Sequence, residues 1–113
     1  MNYAAYPSLV AAVSNAGGLG ILGAGGMNGD ELRQNIKMIR DMTDKPFVVN
    51  MLATSPALDE LIEVLIEERV PVASYGRGDP QRIIEQTKSH GIINMPTIGA
   101  VRHALKVESY RAD

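Results

Sequence analysis

In the apolar run Phe47–Leu52 (FVVNML), a single carboxamide, Asn50, interrupts the hydrophobic sequence. A buried amide without hydrogen-bond partners costs about 1–3 kcal/mol. Asn50 therefore reads either as a core amide satisfied by a neighbouring loop or as an amide aimed at a polar heterocycle or a phosphate. Asn94, in Ile92–Met95 (IINM), admits the same two readings, with the core reading favoured. Gly23-Ala24-Gly25-Gly26 leaves backbone N–H groups open and lets a planar or anionic ligand come close. The competing reading is a tight strand-to-helix turn. No Gly-Lys-Ser/Thr follows, so the loop is not a P-loop. Gly18, Gly20 and Gly23 have G-x-G-x-x-G spacing, but they precede and interrupt the apolar run instead of following it, so a dinucleotide fingerprint fails on position. Gly17, Gly18 and Gly20 read instead as packing and turn residues. Arg77, between Gly76 and Gly78, has the charge to steer a phosphate, although a plain surface arginine is the commoner outcome. His90 and His103 have no Ser, Asp or metal-ligand partner at useful spacing and read as structural or surface residues.

These residues fall at the ends of regularly alternating elements. Pro7–Ala16 reads as a helix, with Pro7 in its first turn, Leu9, Val10 and Val13 on one face, and Gly17-Gly18 as its stop. Leu19–Ala24 reads as a strand. Asn28 or Asp30 caps the next helix, where Leu32, Ile36, Ile39 and Met42 recur at helical spacing. Phe47–Leu52 is a second strand, Pro56–Val70 a third helix, Pro71–Tyr75 a third strand, and Gln81–His90 a fourth helix. Ile92–Met95 is a fourth strand, and a fifth helix runs on after Thr97. Single helices between strands imply parallel pairing, and strands apolar on both faces fit that arrangement. Two architectures remain: an open doubly wound sheet or part of a (β/α)8 barrel. Either one places ligands beyond the carboxyl ends of the strands, where Asn50, the GAGG loop and Gly76–Gly78 lie.

Composition narrows the function classes. The 113 residues, 45% of them hydrophobic, suit one domain. A net charge of −2, no basic run and five aromatic residues (four Tyr, one Phe) argue against a nucleic-acid surface. The absence of cysteine removes disulfides, thiolate metal sites and a Cys nucleophile. No apolar stretch approaches the ~20 residues of a membrane span. The first residues, MNYAAYPS, lack a basic segment followed by a long apolar one. The expectation is a soluble, cytoplasmic protein without nucleic-acid or membrane partners.

At AVSNAGGLGILGAGG (residues 12–26), TDKPFVVNMLATSP (43–56) and VPVASYGRGDP (70–80), the sequence resembles a known family. This is the FMN-dependent enoyl-acyl-carrier-protein reductase II and nitronate monooxygenase (2-nitropropane dioxygenase) group, and TDKPFVVNMLATSP leans toward the reductase side. The resemblance covers the whole chain but only about the first third of the family's (β/α)8 domain. It implies an α/β fold of alternating β/α units with parallel strands. Residues 1–113 would be a single, partial TIM barrel, about half of one, completed by oligomerisation or rearranged to an open sheet. A third and weaker reading is a flavodoxin-like open sheet with an unrelated ligand.

Residue by residue, Asn50 matches the family's Asn at the FMN site. Tyr75-Gly76-Arg77-Gly78-Asp79-Pro80 matches a T-G-A-G-N-P stretch on the flavin side, with Tyr75 and Arg77 bulkier than the family's residues there. Pro96-Thr97 matches a strand end facing the same pocket. The resemblance thus implies FMN as cofactor, with Asn50, Met51, Gly76, Gly78, Gly25 and Gly26 binding it, and NAD(P)H as reductant. The family's first-strand Gly-Gly-Met loop, its catalytic Gly-Gly-His segment and its phosphate loops are expected outside these residues. No catalytic or metal-binding residue is therefore expected within them. Two functions follow: part of an FMN oxidoreductase acting on an enoyl thioester or a nitronate, or a non-catalytic copy that persists as an oligomerising or weakly flavin-binding domain. The apolar strands and open sheet edges predict a homo-oligomer.

Overall fold

The computed structural model describes residues 4–113; the first three residues, on which the reading of the N-terminal segment partly rests, lie outside the described residues. Among the described residues five helices and four strands alternate: α1 (Pro7–Asn15), β1 (Gly20–Gly23), α2 (Gly29–Met42), β2 (Phe47–Leu52), α3 (Leu58–Glu67), β3 (Val72–Gly76), α4 (Gln81–Lys88), β4 (Ile93–Pro96) and α5 (Val101–Ser109). The boundaries agree with the sequence reading to within a few residues.

The strands form one parallel sheet in the order β1-β2-β3-β4. Each strand lies beside its predecessor, with no reversal of order. A doubly wound sheet requires such a reversal, whereas a (β/α)8 barrel requires its absence. The sheet therefore has barrel topology and is not the flavodoxin-like alternative.

Alternate strand residues divide the two faces. Leu22, Val49, Met51, Ala73 and Tyr75 join Val10, Leu32, Ile36, Leu61, Leu65, Ile83 and Ile84 of the helices in one buried core. The opposite face carries two rows read across the sheet. Ile21, Val48, Val72 and Ile93 are in register near the strand starts. Gly23, Asn50, Ser74 and Met95 are in register toward the carboxyl ends. The rows resemble barrel layers, apolar below and polar above. Val48 and Val72 are buried within their row, while Ile93 is 51% and Met95 39% exposed at the β4 side.

Local sequence explains the helix ends. Asn28 accepts from the Glu31 amide while the Glu31 carboxylate accepts from the Asn28 amide, a reciprocal capping box. Gly17, at φ 90°, ends α1, and the Gly18 amide folds back to the Val13 carbonyl. The buried face of α1 departs from expectation. Val10, Ala11 and Ser14 turn inward, whereas Leu9 and Val13 are 52% and 38% exposed. The cause is the docking of α1 on Gly20, where the Val10 carbonyl sits so close that a side chain would collide. The Ser14 hydroxyl accepts from the Gly20 amide and donates to the Pro46 carbonyl. The acidic face of α3 is not merely solvated. Glu67 and Glu68 bind Arg33, Glu68 also binds Arg40, and Glu60 accepts from the Gly29 amide.

Candidate functional site

Asn50 sits mid-sheet on the face away from the helices and is half-buried. Its Nδ2 donates to the Ser74 hydroxyl of the adjacent strand at 3.2 Å. Among the described residues nothing donates to its Oδ1. On its other side lies Gly23, with no side chain to fill the row. Among the described residues the amide is neither sealed in the core nor satisfied by a loop, and its neighbour in the row, Gly23, has no side chain. A ring bearing both N–H and C=O groups matches that pairing. The donor and acceptor of the amide therefore fit a heterocycle such as a flavin.

The six residues expected to bind cofactor do not share one opening. Gly25 and Gly26 line a groove of 450 Å³ with Leu52, Thr54 and Pro56. Gly26, at φ 82°, occupies the third position of the Ala24–Met27 turn, which requires a positive φ. Gly76 and Gly78 line a separate cleft of 390 Å³ with Ala53, Pro96 and Thr97. The β2–α3 turn lies between the two, and Asn50 lines neither. Met51 requires correction. Its side chain is 1% exposed in the helix-side core, because residues next to each other in a strand face opposite ways, so only its backbone reaches the strand end. Gly78 has a packing role. At φ 102°, a Cβ there would lie 3.1 Å from Thr54 Cγ2 and 3.3 Å from Ala53 Cβ. Gly76 has room, its nearest neighbour to such a Cβ being Thr97 at 3.7 Å.

Tyr75 also departs from the flavin-side position that the resemblance gave its stretch. It turns into the core and is 1% exposed. Its hydroxyl donates to Asn94 Oδ1 at 2.9 Å. The same oxygen accepts from Thr87 at 3.0 Å, and Asn94 Nδ2 donates to the Ile92 carbonyl. Asn94 is thus the satisfied core amide that its sequence suggested. Burial, with the Asp113 carboxylate adding to it, holds the Tyr75 hydroxyl well above the ordinary phenol range.

His90 lies at the far end of α4, with Nδ1 3.0 Å from the Gln86 carbonyl, away from the strand ends that carry the site. His103, read as a surface residue, lines the Gly76–Gly78 cleft together with Arg77 and Lys106. The spacing of His103 and Lys106 places them on one helix face, but nothing in the sequence indicates which loop that face meets. Lys106 Nζ binds Asp79 Oδ2 at 2.8 Å, which holds the Asp79 carboxyl below its ordinary range and the ammonium above its own. The Asp79 carboxylate also accepts from the Gln81 amide. Among the described residues no His/Asp/Glu cluster could hold a metal ion, and no helix is long and apolar enough to cross a membrane.

Comparison with known proteins agrees with the fold. A family model described as nitronate monooxygenase matches residues 1–63. The chain is 43% identical, over 113 residues, to (3aS,4S,5R,7aS)-5-hydroxy-7a-methyl-1-oxo-octahydro-1H-indene-4-carboxyl-CoA dehydrogenase of Rhodococcus jostii, covering 100% of this chain and 32% of that protein. It is 32% identical to a probable nitronate monooxygenase of Staphylococcus saprophyticus, covering 95% of this chain and 40% of that one. Among solved structures it superposes on FabK from Thermotoga maritima with a TM-score of 0.97 at 46% identity, covering 100% of this chain and 36% of that one. Nitroalkane oxidase from Streptomyces ansochromogenes gives a TM-score of 0.90 at 28% identity, over 100% of this chain and 42% of that one. The chain thus spans roughly a third of the length of these relatives. The family model covers more than half of the chain, and the chain belongs to the nitronate monooxygenase family.

Proposed function

We propose that this chain supplies the Asn50-bearing layer of a flavin-dependent oxidoreductase site, with FMN as cofactor, NAD(P)H as reductant and an enoyl thioester or a nitronate as substrate. The observation that carries the reading is the row Gly23–Asn50–Ser74, an amide braced by a hydroxyl and flanked by a glycine toward the carboxyl end of a barrel-type sheet. A bound flavin supplies hydride acceptance and delivery, which is cofactor chemistry. Asn50 holds and orients the ring through its amide, and Ser74 fixes that amide's rotamer. The apolar row of Ile21, Val48 and Val72 below keeps water from the underside. The strand residues of this face carry no titratable group, so the role assigned to these residues is binding and orientation, not proton transfer.

The test is an absorption spectrum after incubation with excess FMN and gel filtration, for the wild type and Asn50→Leu. A visible flavin band retained by the wild type and lost by the variant, at unchanged circular dichroism, is the expected result. No retained flavin in the wild type overturns the reading and leaves the non-catalytic alternative in its place.

We also propose a homo-oligomer. Ile93 and Met95 present an apolar strip at the open side of the sheet. The β4 edge is blunted, because Asp113 takes both the N–H and the C=O of Asn94 and Pro96 has no N–H to give. The contact therefore runs through this apolar face, not through strand pairing.

A further inference from the structure

The cleft between the β3–α4 turn and α5 is separate from the Asn50 row, and its charge is unlike that of the chain. The protein carries a net charge of −2, yet Arg77, Lys106 and His103 converge on this cleft against one carboxylate, Asp79. Among the described residues, five cations form no ion pair, Lys37, Arg69, Arg77, Arg102 and Arg111, and of these Arg77 is the one that lines the cleft. Its guanidinium carries five donors, and the cleft that Arg77 lines has a volume of 390 Å³. α5 begins at the same wall. Its cap residue, Ala100, contributes no side-chain acceptor, and its first turn holds no acidic residue, so its positive end adds to the field. The remaining lining is small or aliphatic, including Pro80, Pro96, Ile98 and Val107. The phenol of the wall, Tyr75, is buried with its hydroxyl committed to Asn94, so its ring is not offered for stacking a base.

We propose that this cleft is a subsite for the phosphate or diphosphate arm of a ligand. Arg77 binds the oxygens in a fork, Lys106 shares its charge between Asp79 and the anion, and His103 supplies a ring N–H. The arm itself lies along the aliphatic wall. Phosphate of this kind has two sources here, a flavin nucleotide and a thioester carrier of the coenzyme A type. The cleft does not depend on the flavin reading of Asn50.

The experiment is calorimetric titration of the 113-residue protein with inorganic pyrophosphate at low salt. Wild type, Arg77→Gln, Lys106→Gln and Lys37→Gln are compared, with circular dichroism to verify folding. Pyrophosphate is expected to bind the wild type, to weaken as salt rises, and to lose roughly tenfold in affinity in Arg77→Gln, while Lys37→Gln is unchanged. Lys106→Gln leaves Asp79 unneutralised and weakens binding at least as much. Coenzyme A and FMN titrated in parallel identify the source, as the ligand whose affinity falls in Arg77→Gln. Absence of pyrophosphate binding, or binding indifferent to both Arg77→Gln and Lys106→Gln, overturns the proposal.

Discussion

Tyr75 donates its hydroxyl hydrogen to Oδ1 of Asn94 at 2.9 Å, joining β3 to β4 inside the layer sealed between sheet and helices. Tyr75→Phe removes this bond but leaves Asn94 Oδ1 its bond from Thr87, so a loss of about 1 kcal/mol is expected in urea unfolding. Asn94→Ala strands the buried Tyr75 hydroxyl and costs more, about 1–3 kcal/mol for the unpaired group alone.

The same hydroxyl predicts an alkaline limit. Its folded-state pKa lies above the ordinary 10.0, so the unfolded chain loses this proton first. The stabilisation is complete below about pH 10 and is lost as pH rises from there. Urea midpoints followed from pH 8 to 11 are expected to fall more steeply for the wild type than for Tyr75→Phe. Parallel slopes would count against it.

Gly20 is expected to tolerate no side chain. A Cβ there would lie 2.1 Å from the Val10 carbonyl oxygen and 2.9 Å from Ser14 Oγ. Gly20→Ala must push α1 off the sheet, at a cost of at least about 2 kcal/mol by analogy with overpacked cores. At Gly99, where a Cβ meets nothing, alanine is expected to be near neutral. Thermal melts of both variants check this.

Asp113 closes the edge of β4. Its amide donates to the Asn94 carbonyl, and its carboxylate accepts from the Asn94 amide and from Lys88. These bonds, the Asn94 amide first, hold the carboxyl below its ordinary 3.8. The contact is therefore complete above that value and is lost as pH falls through the lower folded pKa. Local hydrogen exchange at the Asn94 amide, referenced to intrinsic rates, is expected to lose protection below pH 4 in the wild type. Asp113→Asn is expected to show reduced protection already at pH 6.

The apolar strip gives the oligomer prediction. Wild-type protein is expected to sediment as more than a monomer at micromolar concentration, and Ile93→Lys, at a residue 51% exposed, to shift it to monomer. A monomeric wild type would remove the proposal.

The alternation of helix and strand was legible because each element carries its own period and punctuation: Pro7 at a first turn, Asn28 and Glu31 at a cap, glycines after α1. The continuous apolar strands declared parallel pairing, since helices must cover one face and a second layer the other. The motifs AVSNAGGLGILGAGG and TDKPFVVNMLATSP carried the family resemblance. Strand order came only from the tertiary structure, because barrel and doubly wound sheets share one local pattern and differ in which strands adjoin. The facing of Tyr75 and Met51 was likewise set by register, since a shift of one residue in a strand exchanges core for site. Spacing within α5 put His103 and Lys106 on one side of a helix. Their meeting with Arg77 depends on contacts between elements distant in sequence, which folding alone brings together.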